Sequence, residues 1–161
     1  MRNLKRYFKI SIIAILAAAA AVTLFTVFFD QAGIVRKSTI YRADTEEKVV
    51  ALTFDDGPSP VWTPQILDQL KEAGIKATFF MVGKHVEQYP EVARRVAREG
   101  HEVENHGYDH KVMVYYKIDE LKKEINDTEK IIGDVTGRTT GYFRPPKAWL
   151  TNVEKQKIKE M

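Results

Sequence analysis

The stretch Val49-Val50-Ala51-Leu52-Thr53-Phe54-Asp55-Asp56-Gly57-Pro58 decides how the rest of the chain is read. Its first half, with Lys48 in front, is apolar and partly β-branched, which predicts a buried strand over 48–54. Its second half sets two adjacent carboxylates at the end of that strand, ahead of a turn. Parallel α/β folds gather their chemistry on the loops that leave the carboxyl ends of strands. Adjacent carboxylates repel each other, so a fold holds them best with a cation or in two distinct environments.

Working outward, Thr63 is expected to cap a helix with Pro64 at its first position, Ile66, Leu67 and Leu70 inward, and Gly74 as terminator. A second buried strand follows over 76–82. Pro90 opens a helix with Val92, Ala93, Val96 and Ala97 inward and Gly100 at its end, and a short strand over 101–105 follows. Asp119 is expected to cap a helix that carries Leu121, Ile125, Ile131 and Ile132 and closes at Gly133 and Gly137. Tyr142 and Phe143 begin a fourth strand, and 151–161 reads as a last helix. Alternating strands and helices imply an α/β fold of parallel strands with right-handed crossovers. Four such units fall short of a closed eight-unit barrel, so the expectation is an open sheet or part of a longer domain.

Upstream, residues 10–29 hold no charge and only Ser11, Thr23 and Thr26 as polar side chains. Twenty such residues are expected to form a transmembrane signal-anchor. The competing expectation is a cleaved signal peptide, with Ala17 to Ala21 as small-residue cleavage positions. Arg2, Lys5, Arg6 and Lys9 place residues 1–9 in the cytoplasm as a basic stub and the rest outside. Residues 30–47 read as a linker with a short possible strand over 39–41, and 48–161 as the folded domain of a single-pass cell-membrane protein. The net charge is +3, from 25 basic and 22 acidic side chains. The first thirty residues take four basic and one acidic, leaving 21 of each sign, so the domain offers no electrostatic case for nucleic acid. Without cysteine, a disulfide framework or zinc-thiolate site is excluded.

Downstream, His106-Gly107-Tyr108-Asp109-His110 supplies two imidazoles at i, i+4, and Phe143-Arg144-Pro145-Pro146 a guanidinium on a stiff backbone. Zinc hydrolases commonly use three ligands drawn from His and Asp/Glu. One helical turn apart, His106 and His110 can face one point. Asp56 could complete the set, leaving Asp55 free as general base on water. Arg144 could hold Asp55 ionised through a paired contact, and a loop N–H near Lys147 could stabilise an oxyanion. Taken singly, each motif has a plainer reading: a stray histidine pair, a capped turn, an extended linker. The case lies in all three following expected strands. His85 and His101 read as structural or solvent-exposed, and the aromatics at 79, 80, 142 and 143 as core. Trp62, Tyr108 and Trp149 suit sugar stacking.

These segments resemble a known family, the polysaccharide deacetylases of carbohydrate esterase family 4 (NodB-type domains). Thr53-Phe54-Asp55-Asp56-Gly57-Pro58 is similar to its first motif in full, Gly100 to His110 to the segment around its second, and Phe143 to Pro146 to its third. The resemblance covers roughly 48–150 and implies a distorted (β/α) barrel, incomplete here. It implies Asp55 as base, and Asp56, His106 and His110 as ligands of Zn2+ or another divalent metal such as Co2+. Lys147, Pro145 and Tyr108 stand as oxyanion or substrate positions. The implied reaction hydrolyses N-acetyl groups on a GlcNAc- or MurNAc-containing polysaccharide and releases acetate. Three departures stand out: Gly107 where the family usually has Ser or Thr, Lys147-Ala148 where it has Tyr-Gly, and later motifs that would lie beyond Met161. A positioned general acid, one of those later parts, typically contributes ~10²–10⁴-fold, so weakened activity is expected. The alternative is a non-catalytic, membrane-anchored glycan-binding remnant or a truncated gene product.

Overall fold

The computed structural model describes residues 11–25, 39–40, 43–113, 116–148 and 150–160. The chain divides into two compact units, Met1–Thr45 and Glu46–Met161. In the first, residues 11–25 form a helix, α1, with exposed side chains. At ~1.5 Å per residue these fifteen residues rise about 22 Å, against the ~30 Å of a bilayer core. Among the described residues no helix is long and apolar enough to cross a membrane. Residues 10 and 26–29 of the expected span lie outside the described residues. Thr39 and Ile40, expected in a short strand, are in none.

In the second unit the order is β1 (Thr53–Gly57), α2 (Trp62–Ala73), β2 (Thr78–Met81), α3 (Gly83–Gln88), α4 (Pro90–Arg98), β3 (Glu102–Asn105), α5 (Ile118–Thr136), a 3-10 turn (Pro146–Ala148) and α6 (Asn152–Lys159). The strands form one parallel sheet in the order β1-β2-β3. The first strand begins later than expected. Pairing starts at Thr53 opposite Thr78, so Val49 and Val50 have no strand beside them and remain exposed, Val50 at 95%. The expected fourth strand shrinks to a single parallel bridge, Asn105 with Phe143. Asn105 N–H donates to Tyr142 O and Arg144 N–H to Asn105 O, but Pro145 and Pro146 then have no N–H to continue the ladder.

Helix starts also differ from expectation. Thr63 lies inside α2, buried, and its hydroxyl accepts the Ser59 N–H at 2.9 Å. Ser59 Oγ accepts the N–H groups of Val61 and Trp62 and so serves the helix start instead. Asp119 lies in the first turn of α5, while Glu120 accepts the Lys117 N–H at 2.8 Å. Gly74 and Gly137 end their helices in the left-handed conformation as expected, whereas Gly133 lies within α5. The six-residue α3 was not expected, since it is too short to show a periodic stripe.

The main core packs Leu67 and Leu70 of α2, Phe79 and Met81 of β2, Val86 of α3, Ala93 and Val96 of α4 and Ile132 of α5. Full burial of each large aliphatic contributes ~1.5–3 kcal/mol, which seats the helices on the sheet. A second cluster, Met113, Leu121 and Ile125, takes Phe143, Leu150 and Ile158 against it and packs the region after β3 and α6 onto α5. Phe79 and Phe80 are buried as expected; Tyr142, expected in the core, is half exposed because its segment makes only the one bridge.

Candidate metal and catalytic site

The sheet delivers both carboxylates through an irregularity. The register passes from Phe54↔Phe79 to Gly57↔Met81, so Asp55 and Asp56 fall in the break and have no partners in β2. Asp56 takes a left-handed backbone, φ 67°. Its Oδ1 lies 3.1 Å from Nε2 of His106 and 2.9 Å from Nε2 of His110. One ligand atom from each of the three lies within 4.8 Å of the others.

The histidines converge without a helix. His106 leaves β3 with its N–H donating to Met81 O, and Asn105, fully buried, accepts the Gly107 N–H and donates to Ile125 O. Gly107 at φ 78° and His110 at φ 59° then turn the second ring back toward Asp56. Among the described residues the four non-glycine residues with positive φ are Asp56, in the register break of β1, His110, on the loop after β3, and Lys147 and Ala148, in the 3-10 turn. Each costs ~1–2 kcal/mol, and such strain gathers where function over-determines the backbone.

These residues fit a divalent cation. Nδ1 of His106 lies 2.6 Å from the Arg144 carbonyl, which can only accept, so Nδ1 carries a proton and Nε2 is the nitrogen turned to Asp56. A carboxylate oxygen and two imidazole nitrogens gathered this closely form a donor set suited to a cation between them. Tetrahedral ligands at ~2.05 Å from a zinc ion stand ~3.3 Å apart, close to this spacing. A histidine whose other nitrogen is fixed by a carbonyl is the usual support for such a ligand.

Asp55 belongs to a different set of contacts. Its Oδ1 accepts Nη1 of Arg144 at 2.5 Å, and the same nitrogen donates to Thr53 Oγ1 at 3.0 Å. The guanidinium lies 3.9 Å over the Phe80 ring, which fixes its plane. Both members are more than a third exposed, so the pair adds little stability and acts mainly by orientation. The two neighbouring carboxylates thus receive the distinct environments that their repulsion demands.

A family model for polysaccharide deacetylases matches residues 42–161. The chain belongs to the polysaccharide deacetylase family. It is 42% identical over 116 residues to the peptidoglycan-N-acetylmuramic acid deacetylase of Bacillus subtilis, covering 72% of this chain and 25% of that protein. It is 44% identical over 97 residues to a peptidoglycan-N-acetylglucosamine deacetylase of Bacillus cereus, covering 60% and 35%. Among solved structures it resembles the Bacillus subtilis peptidoglycan deacetylase with a TM-score of 0.68, 42% identity, and coverage of 73% and 58%. It also resembles a carbohydrate esterase family 4 pseudoenzyme from Bacillus anthracis with a TM-score of 0.71, 29% identity, and coverage of 75% and 43%. The chain thus spans between a quarter and about a third of the length of these two curated relatives.

The departures from the deacetylase pattern have local causes. At Gly107 a Cβ would collide with the Met113 methyl, and φ is left-handed, so the position admits glycine alone without adjustment. Lys147 and Ala148 both take left-handed backbone on the turn after Pro145, including the position where the pattern has glycine. Tyr108 is not brought among the ligands. Its hydroxyl donates to Glu87 at 2.9 Å, and that carboxylate pushes the phenol above its ordinary value. Trp62 is exposed on α2, beside an apolar groove with Leu52, Phe54 and Leu70, and Trp149 lies outside the described residues. His101 is structural: its buried Nδ1 accepts the Ala77 N–H.

Two polar residues of β3 were missed in the sequence. Asn105 shapes the histidine loop, and Glu104 accepts the N–H groups of Gly141 and Tyr142, fixing the loop that leads to Arg144. Burial pushes Glu104 up despite these two donors. Their signal is the presence of Glu and Asn on a strand that has to be buried.

Proposed function

We propose that this chain supplies the metal-holding and base-bearing part of an enzyme that removes N-acetyl groups, as acetate, from a cell-wall polysaccharide containing N-acetylglucosamine or N-acetylmuramic acid. The observation that carries this reading is the pairing of Asp55 with Arg144 directly beside the Asp56, His106 and His110 cluster. Those three residues would hold zinc or a metal such as cobalt, which supplies Lewis acidity toward the acetamide carbonyl and water. Asp55 has one oxygen turned to Arg144 and keeps the other to take a proton from the attacking water. The Lys147 N–H, on the turn after Pro145, would receive the developing negative charge. The C–N bond would then break to give acetate and an amine, the proton taken from water being delivered to the amine. The substrate class is supported by the peptidoglycan deacetylases named above.

Residues 10–29 are proposed as a membrane anchor, supported by their uncharged apolar run, with 1–9 cytoplasmic, 30–47 a linker and 48–161 outside. Sequencing the amino terminus of the mature protein separates an anchor from a cleaved signal.

The test is acetate release by the chain from N-acetylglucosamine oligomers and from peptidoglycan, with and without added Zn2+, beside Asp55→Asn. Zinc-dependent release that disappears in the variant supports the reading. Silence from a folded, zinc-loaded chain sinks it. That result favours a second reading, a glycan-binding domain without chemistry, which the likeness to a pseudoenzyme keeps in play.

A further inference from the structure

We propose that His85 is a positioning residue for Asp56, and that α3, which carries it, brackets the two ligand-bearing loops. The inference rests on the reading of Asp56 as a metal ligand. Asp56 falls in the register break of β1, so β2 gives it no partner, and its left-handed backbone is held against a strain of ~1–2 kcal/mol. The peptide leaving Asp56 therefore needs a partner from elsewhere. Nδ1 of His85 supplies it, 2.9 Å from the Asp56 carbonyl and twenty-nine residues away in sequence. Because a carbonyl only accepts, His85 donates there, and it does so equally as a neutral Nδ1–H ring or as an imidazolium.

The helix behind this contact is firmly seated. Val86 is fully buried in the main core, and a Cβ on Gly83 would stand 3.0 Å from both Thr128 and Tyr108, so α3 lies close against its neighbours. Its start also reaches both loops. Val82 N–H donates to Gly57 O on the carboxylate side, while the N–H groups of Gly83 and Lys84 donate to the carbonyls of Gly107 and Tyr108 on the histidine side. A single rigid segment thus sets the distance between Asp56 and the loop of His106 and His110. Removing the His85 donor frees the Asp56 peptide to rotate toward relaxed backbone, and the carboxylate swings with it.

The experiment measures zinc affinity of the full chain by competition with a chromophoric chelator, for the parent, His85→Leu and His85→Asn. Leucine keeps bulk without the donor, whereas asparagine places an amide donor at about the reach of Nδ1. Supports of this kind are typically worth ~10–100-fold in metal affinity. The expected result is a loss of about tenfold or more in His85→Leu, recovery to within a few-fold of the parent in His85→Asn, and similar metal-free melting temperatures for the two variants. Parent-like affinity in His85→Leu, or equal weakness in both variants, overturns the inference alone. A parent chain that fails to bind zinc overturns the metal reading and this inference with it. A His85→Leu chain that unfolds without metal while His85→Asn binds like the parent shows a structural role and also overturns it.

Discussion

The carbonyl oxygen of Arg144 accepts the Nδ1 proton of His106 at 2.6 Å, while the guanidinium of the same arginine donates to Asp55 at 2.5 Å. One residue thereby fixes the proposed ligand His106 through its main chain and the proposed base Asp55 through its side chain. Substitution separates the two roles. Arg144→Ala keeps the carbonyl and loses the guanidinium, so zinc affinity is expected to stay within a few-fold of the parent. Acetate release is expected to fall by about 10²-fold, the usual cost of misplacing a catalytic group. Parallel zinc titration and acetate assays check both halves of the prediction.

Metal removal is expected to lower stability as well as activity. A ligand that binds only the folded state adds about 2.7 kcal/mol at one hundred times its dissociation constant. For a domain of this size that corresponds to a melting shift on the order of 10 °C. Thermal unfolding with saturating zinc and with chelator should show this shift, and Asp56→Asn should abolish it. The variant is the decisive control, because a shift that persists in it places the ion elsewhere.

The turn residues predict changes of opposite sign. Ala148 has φ 57°, which glycine adopts without strain, so Ala148→Gly is expected to stabilise the chain by about 1 kcal/mol. Gly107→Ser imposes a side chain at φ 78° and drives it into Met113, which is fully buried. Left-handed strain and overpacking together suggest a cost of about 2–4 kcal/mol. Denaturant melts of the three chains test both, and the zinc affinity of Gly107→Ser should fall because His106 directly precedes the distorted residue.

Much of this was legible in the sequence, for identifiable reasons. The helix closed by Gly74 and the buried strand over Phe79 and Met81 follow from apolar pattern and glycine placement, which act locally, whereas of the strand expected over 48–54 only Thr53 and Phe54 lie in β1. Legible too was the grouping of Asp56, His106 and His110, because β1 and β3 belong to one parallel sheet whose carboxyl ends lie on one side. Illegible were features decided by distant partners. Nothing local says that Asp56 falls in a register break, since this depends on where Gly57 meets Met81. The helical spacing of His106 and His110 pointed to convergence by the wrong means, as two left-handed residues do what a helical turn was expected to do. His85 read as structural or solvent-exposed because its partner is a backbone carbonyl, which no side-chain pattern reports.

His101 gives the chain a predictable pH dependence. Its Nδ1 accepts the Ala77 N–H at 3.2 Å in a buried setting, and its ring lies edge-on to Phe79. Burial, and then the nearby Lys76 charge, push the imidazole below its ordinary value of 6.5. The unfolded chain therefore binds a proton near pH 6.5 that the native chain still refuses. The stability that His101 contributes is complete above that pH and is lost as pH falls toward the native value, with a limiting slope of about 1.4 kcal/mol per pH unit. Glu104 acts with the opposite sign: its raised value means the native chain holds a proton that the unfolded chain has released, so its term weakens as pH rises from about 4.5. One window opens downward from 6.5 and the other upward from 4.5, so a single melt-versus-pH curve mixes them. The difference between the parent and His101→Gln isolates the histidine. Between pH 7.5 and 5 the parent should lose more stability than the variant, and parallel curves over that range would remove His101 as the cause.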